Sequence, residues 1–283
     1  MHQPSSTVYL NKENYYMEVF LDPFNKRVRI DDYRGNLSVL LNEFEDLAQE
    51  NQAEKLIVKG RPEHIGHFIE AGYGLEAKIS GYFRGTDAYF FTKYYSSERK
   101  KNDHWITEDG MVKSIVHLNK PKDISHPPAK FTLIKAEERH AEKLATLYGK
   151  VFKIYPTPLQ QPEYIKKTMS EGTVYFIYMD DNEIISAASA EINDFYKNAE
   201  LTDCATLPEY RQHGLMKFLL KRLERELLER GIYCSYSIAR ALSFGMNAVL
   251  HQLGYRYQGR LMNNCYIYDK LENMNVWVRN LAE

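Results

Sequence analysis

Cysteine is scarce in this chain: Cys204, Cys234 and Cys265 are the three present in 283 residues. Odd in number, far apart and without paired metal-ligand spacing, they exclude a disulfide scaffold and a zinc ribbon. They suit a reducing cytosol, each thiol serving as a small buried apolar group. An excess of charge of either sign is missing too. Lys plus Arg number 37 against 38 Asp plus Glu, a formal net charge of −1, so no global basic field draws the chain to nucleic acid or an anionic membrane. No apolar run approaches the roughly 20 residues of a membrane span, and the opening MHQPSSTVYLNKENYY has no export h-region. The expectation is a soluble, cytoplasmic protein with no nucleic-acid or membrane partner. His64 and His67 stand three apart but lack a third ligand, so no metal site is expected.

What is present is an ordinary globular composition, 44% hydrophobic and 27% charged, in a chain long enough for two cores. NKPKDISHPPAK (119–130) holds three prolines and no apolar period, and reads as an extended connection. It divides an N-terminal α/β unit, residues 1–120, from a second unit, residues 131–283. In the second, FTLIKA is a strand, EERHAEKLATLYGKVF a helix, and VYFIYMD a strand turning at Asp181-Asn182 into IISAASAEI. AELTDCAT is the next strand. GLMKFLLKRLERELLERG then sets Met216, Leu219, Leu220, Leu223 and Leu227 on one helical face and stops at Gly231. CSYSIAR is a strand, LSFGMNAVLHQLGY a short helix stopped by Gly254, and YRYQG and CYIYDKL the last strands. The predicted fold class is α/β (α+β), a mixed, mostly antiparallel central sheet with flanking helices.

The first unit repeats part of this order. SVLLNEFEDLAQEN carries Leu40, Leu41, Phe44 and Leu47 on one helical face and is followed by KLIVKG, PEHIGHFIEAGY, LEAKISGYF and AYFFTKYY. YRGNLSVLLNEF parallels YRQHGLMKFLLKRL if two residues are inserted after Arg34, and FIEAGY parallels LHQLGY. The reading is a degenerate duplication of half a domain.

The most informative stretch is CATLPEYRQHGLMKFLL (204–220), in which a strand ends before Pro208, a polar loop follows and a helix opens at Gly214. The first amides of a helix have no intrahelical acceptor, and the macrodipole adds about half a positive charge there. That makes an anion site from Arg211, Gln212, His213, Gly214, Leu215, Met216 and Lys217, with Gly214 letting a phosphate approach the backbone. Arg211-x-x-Gly214-x-Met216 resembles the pyrophosphate-binding signature of the GNAT superfamily of N-acetyltransferases over about residues 131–268, with Met216 standing where that signature has a small residue. The resemblance implies the acetyl-CoA N-acyltransferase fold and acetyl-CoA as acetyl donor. It also implies a splayed strand whose backbone at Cys204, Ala205 and Thr206 binds the pantetheine and polarises the thioester.

An ammonium with a pKa of about 10.4 must lose a proton before it attacks, so a general base or water relay is required. Glu200 matches the superfamily's catalytic Glu. Asp203 is the next candidate, but strand alternation sets it on the face opposite Glu200 and Cys204. Where many relatives carry a Tyr proton donor for the leaving thiolate this chain has Leu250, which leaves His251, Tyr255, Tyr236 or water. The superfamily's helix Asn falls at Ser243 by count from Gly254, with Asn247 one turn on.

VFKIYPTPL, ARALSFGMNAVLHQLGY and YIYDKLENMNVW together look like the β-lysine N-acetyltransferase family. That resemblance implies acetylation of the side-chain amine of β-lysine to give a compatible solute. Such a substrate presents a carboxylate and a second ammonium. Arg240 is a candidate for the first, and Glu191, Tyr155 and Tyr178 for the second or for the aliphatic chain. Competing readings are another amine (polyamine, protein lysine or antibiotic) and an acyl-CoA-binding module without turnover. A homodimer remains an option.

Overall fold

Asn36 opens the first helix by accepting hydrogen bonds at its side chain from the Ser38 and Val39 amides, and the helix then buries Leu40, Phe44 and Ala48, one every four residues. The computed structural model containing it describes residues 5–119, 126–267 and 270–283, so most of the expected linker lies outside the described residues. The first unit runs β1 (Ser6–Lys12), β2 (Tyr15–Asp22), β3 (Arg27–Gly35), α1 (Leu37–Glu50), β4 (Lys55–Gly60), α2 (Ile65–Glu70), β5 (Gly74–Phe83), β6 (Thr86–Tyr94), α3 (Ser97–Lys100) and α4 (Trp105–Val116). The second runs β7 (Phe131–Lys135), α5 (Ala141–Val151), α6 (Pro162–Ser170), β8 (Val174–Asp180), β9 (Glu183–Asn193), β10 (Asn198–Thr206), α7 (Leu215–Glu229), β11 (Cys234–Arg240), α8 (Phe244–Gln252), β12 (Arg256–Ile267) and β13 (Lys270–Asn280). Among the described residues no helix is long and apolar enough to cross a membrane.

All thirteen strands join one sheet in the order β1-β2-β3-β4-β6-β5-β12-β13-β11-β10-β9-β8-β7, mostly antiparallel, with parallel pairs at β3/β4 and β10/β11. The first unit's β2-β3-β4-β6-β5 has the same order and strand senses as the second unit's β9-β10-β11-β13-β12. The units meet edge to edge where Gly259 of β12 pairs with Ala77 of β5. Gly259 has φ +126, and a Cβ there would stand 2.4 Å from the Glu76 carbonyl oxygen, so only glycine permits the approach. Ile57, Tyr82 and Phe90 from one side and Tyr236, Leu261 and Val276 from the other share a single buried cluster. At roughly 1.5–3 kcal/mol for each large apolar side chain fully buried, that cluster holds the units in one relative position.

Two features depart from the sequence reading. Helix α4 buries Ile115 in the core of the second unit and sends Glu108 to accept two hydrogen bonds from Asn273 Nδ2, each 2.8 Å, so it packs beyond the expected boundary. Strand β13 runs well beyond the CYIYDKL strand expected from the sequence. It is a central strand buried from Glu272 to Val278 without alternation, its polar members satisfied by partners distant in the chain: Glu272 by Arg240, Asn275 by Asn247 and Arg260.

Candidate active site

Strands β10 and β11 pair in parallel at Asn198, Ala199 and Glu200, opposite Cys234, Ser235 and Tyr236, and then diverge. A β-bulge between Thr202 and Ala205, with Asp203 at φ 51, bends β10 away, and the Ser237 hydroxyl donating to the Leu201 carbonyl oxygen at 2.7 Å is a last link between them. A cavity of about 460 Å³ fills the wedge. Leu201, Thr202, Asp203, Cys204 and Thr206 line one side, Ser237 to Arg240 the other, and Arg211, Gly214, Leu215 and Met216 close its end. Where the parallel ladder stops, the backbone groups that β11 would have taken turn toward this space.

A 3₁₀ turn, Pro208–His213, leads to Gly214 at φ 63, ψ 22, and α7 starts on its far side. The left-handed backbone demands glycine here. A Cβ would meet nothing within 4 Å, so the space over the helix start is open. Arg211 donates from Nε to the Thr206 carbonyl oxygen at 3.3 Å, tying loop to strand. The residues present therefore fit the pantetheine and pyrophosphate of coenzyme A: a strand edge released by a bulge, then a helix start with no side chain over its amides. The corresponding start of α1 differs, since Asn36 Oδ1 already takes the Ser38 and Val39 amides at 3.1 and 3.4 Å.

Several expected site residues lie elsewhere. Ala205 is buried and paired with Ala187 on β9, while Cys204 and Thr206 face the cavity. Gln212, His213 and Lys217 do not line it, and the His213 ring packs 5.2 Å from that of Phe131. Asn247 is a correction. Its amide donates to the Arg240 and Ser243 carbonyl oxygens and accepts from Asn275 and Trp277, all within 2.9 Å, so it holds α8 to the sheet, and Ser243 lines the cavity instead. Tyr255 is another: it is buried with its hydroxyl 2.7 Å from Ser235 Oγ, outside the cavity lining. Tyr236 is also buried outside it, and His251 Nε2 lies 3.2 Å from the Leu118 carbonyl oxygen. The cavity's tyrosine is Tyr155, stacked 4.5 Å from Phe152. Tyr178, expected to face substrate, is buried on the side of β8 opposite Tyr175 and away from the cavity. Arg240 does line the cavity, where Nη2 donates to the buried Glu272 at 2.8 Å.

The carboxylates give the largest correction. Alternation was expected to turn Asp203 away from Glu200, but the bulge adds a residue and restores it. Asp203 accepts a hydrogen bond from Ser189 Oγ at 2.8 Å, Ser189 lies two residues from Glu191 on β9, and Glu191 stands directly opposite Glu200. The three acids thus share one face, and of them Asp203 reaches the cavity wall. Burial first, and then the Glu191 charge, push Asp203 up to about 7, against hydrogen bonds from Ser189 and Tyr155 that favour its charged form. The same two causes raise Glu200 to about 7, opposed by Lys59 and Arg29 of the first unit. Burial pushes the Tyr155 hydroxyl well above its usual range. The influence of Arg29 and Lys59 had no signal in the sequence, because they reach the acids only through the edge-to-edge joining of the units.

Residues 141–255 match the acetyltransferase (GNAT) family. The chain is 43% identical over 260 residues to "N-acetyltransferase YodP" of Bacillus subtilis (strain 168), covering 92% of this chain and 94% of that one. It is 35% identical to a "Beta-lysine N(6)-acetyltransferase" of Methanosarcina mazei, covering 88% and 100%, and 34% identical to one of the same name from Methanococcus maripaludis, covering 92% and 94%. By these relatives, matched over nearly the whole chain, this chain belongs to the GNAT family of acetyltransferases: it is an N-acetyltransferase that uses acetyl-CoA as acetyl donor and resembles the β-lysine acetyltransferases.

Proposed function

We propose that the acceptor is the side-chain amine of β-lysine, the product N-epsilon-acetyl-β-lysine serving as a compatible solute. The observation that carries this reading is the gathering of Glu191, Glu200 and Asp203 on one face, with Asp203 at the cavity wall. A substrate with two ammonium groups needs an acid for each. Asp203, on the cavity wall, accepts the proton of the attacking amine directly or through water, and its raised pKa suits a base working near neutrality. Glu191 and Glu200 hold the second ammonium. Bound in the wedge, acetyl-CoA supplies the activated acyl group. The amides that follow Gly214 hold its phosphates, the backbone from Asp203 to Thr206 orients the acyl end, and the Tyr155 hydroxyl lies on the cavity wall as a proton source. This replaces Tyr255 and moves the base from Glu200 to Asp203. The shared strand order further supports an origin of residues 1–120 as a degenerate half-acetyltransferase repeat.

Thiol release from acetyl-CoA over a panel of β-lysine, α-lysine, spermidine and a lysine peptide tests the substrate. β-Lysine is expected to exceed α-lysine by at least about 100-fold in kcat/KM, because moving the second amine by one carbon leaves Glu191 and Glu200 unpaired. Equal efficiency on the two lysines would refute β-lysine as the particular acceptor.

A further inference from the structure

Beside the acids of the second unit, the first unit carries an ion cluster built on Arg29, Asp31 and Lys59. Arg29 grips Asp31 with two bonds, Nε to Oδ1 at 2.6 Å and Nη2 to Oδ2 at 2.8 Å, and Lys59 Nζ lies 2.8 Å from the same Oδ1. Two cations share one carboxylate, and both lie near enough to Glu18 of β2 to favour its charged form. Lys59 is nearly buried at 9% side-chain exposure and also donates to the Tyr82 hydroxyl at 3.0 Å. Arg29 is more open, at 28%, and among the described residues its Nη1 has no hydrogen-bond partner.

The position of this cluster is set by the fused core. The Tyr82 ring lies 5.9 Å from that of Tyr236, and Tyr236 stands opposite Glu200 across the β10/β11 pair. Arg29 and Lys59 are near enough to favour the charged forms of Glu200 and Glu191. Yet among the described residues neither acid forms a salt bridge with them or with any other cation, and Glu191 is solvent-exposed. Acids and cations that interact across the two units without pairing suit a ligand with both signs at one end. The acid and amine end of an amino acid is such a ligand, its carboxylate toward Arg29 and its ammonium toward Glu191 and Glu200.

We propose that Arg29, oriented by Asp31 and backed by Lys59, binds the carboxylate of the acceptor, so that the first unit contributes a specificity residue to the active site of the second. This rests on the reading of the acceptor as an amino acid. It takes over the role that the sequence suggested for Arg240, whose guanidinium is held against Glu272 in the donor cavity. A planar guanidinium with a free edge suits a carboxylate better than the compact ammonium of Lys59 does.

The test compares β-lysine with 1,4-diaminopentane, the same molecule without its carboxylate, in the full-length enzyme. Wild type is expected to prefer β-lysine. In Arg29→Gln that preference should fall by about 10- to 100-fold, as for loss of a charged hydrogen bond, and mainly through KM. Arg29→Lys should recover part of it. A wild-type preference that survives Arg29→Gln overturns the role of Arg29 and leaves the substrate reading standing. An equal loss on both substrates, accompanied by a lower Tm, assigns Arg29 a structural role and overturns it too. No preference in wild type overturns this proposal and the amino-acid reading together.

Discussion

Replacing Glu191 by Gln removes one negative charge from the acid cluster at little change in volume. Ser189, which hydrogen-bonds Asp203, is two residues from Glu191 on β9, so at about 3.4 Å per residue the two charges lie roughly 7 Å apart. Glu191 opens to solvent, so an effective dielectric constant near 40 is appropriate, and 332/(40 × 7) gives about 1.2 kcal/mol. At about 1.36 kcal/mol per tenfold in proton affinity, the pKa of Asp203 should fall by about 0.9. The assay is the pH dependence of kcat/KM, which reports free-enzyme groups. Its logarithm should rise with a slope of about two while both base and amine deprotonate, and about one once the base is ionised. The break belongs to the cluster as a unit. In Glu191→Gln it should move from about 7 toward about 6, even as KM for a diamine rises. Stability supplies an independent sign. Asp203 and Glu200 have folded pKa values above their unfolded ones, so the folded state holds extra protons between about 4 and 7 and loses stability as pH rises through that window. The variant should therefore gain stability over wild type at pH 8 and much less at pH 4. An unmoved break would show that the acids act independently, and would refute the electrostatic account of the cluster.

Gly214→Ala forces a left-handed alanine, costing about 1–2 kcal/mol locally, and should weaken acetyl-CoA binding by calorimetry more than it lowers Tm; unchanged affinity removes this loop from the donor site. Acetyl-CoA should bind at one site per chain, because Asn36 caps the corresponding helix start of the first unit, and a stoichiometry of two contradicts that. Gly259→Ala places a Cβ 2.4 Å from the Glu76 carbonyl oxygen and should cost stability at the upper end of the about 1–3 kcal/mol typical of overpacking, several degrees in Tm by thermal melt. A wild-type Tm would mean that the β5/β12 contact does not hold the units together.

The second unit was legible because its elements alternate cleanly and its loops carry turn chemistry. VYFIYMD and CSYSIAR coincide with β8 and β11, and α7 ends where Gly231 announces it. Strand β13 was not legible, since a central strand that buries Glu272, Asn273 and Asn275 hides its periodicity, and their partners lie on β11, α4, α8 and β12. In β2, Tyr15, Met17 and Val19 alternate with more exposed neighbours, a period-two signal that the sequence carries for β1 to β3. At the site, alternation failed at one residue because a bulge is a property of strand pairing and leaves no mark in composition.

The sequence alone determined what is local: a glycine placed before an amphipathic helix, with Arg211, Gly214 and Met216 close together in the chain. Tertiary structure decided everything that depends on charges meeting across the sheet. Asp203 joins Glu191 and Glu200 because β10 bulges against β9, Asn247 and Tyr255 are withdrawn because their polar atoms are taken by distant strands, and Arg29 and Lys59 reach the acids because Gly259 lets two sheets become one. Such meetings are set by register and close approach between segments far apart in the chain, which periodicity within a single segment does not encode.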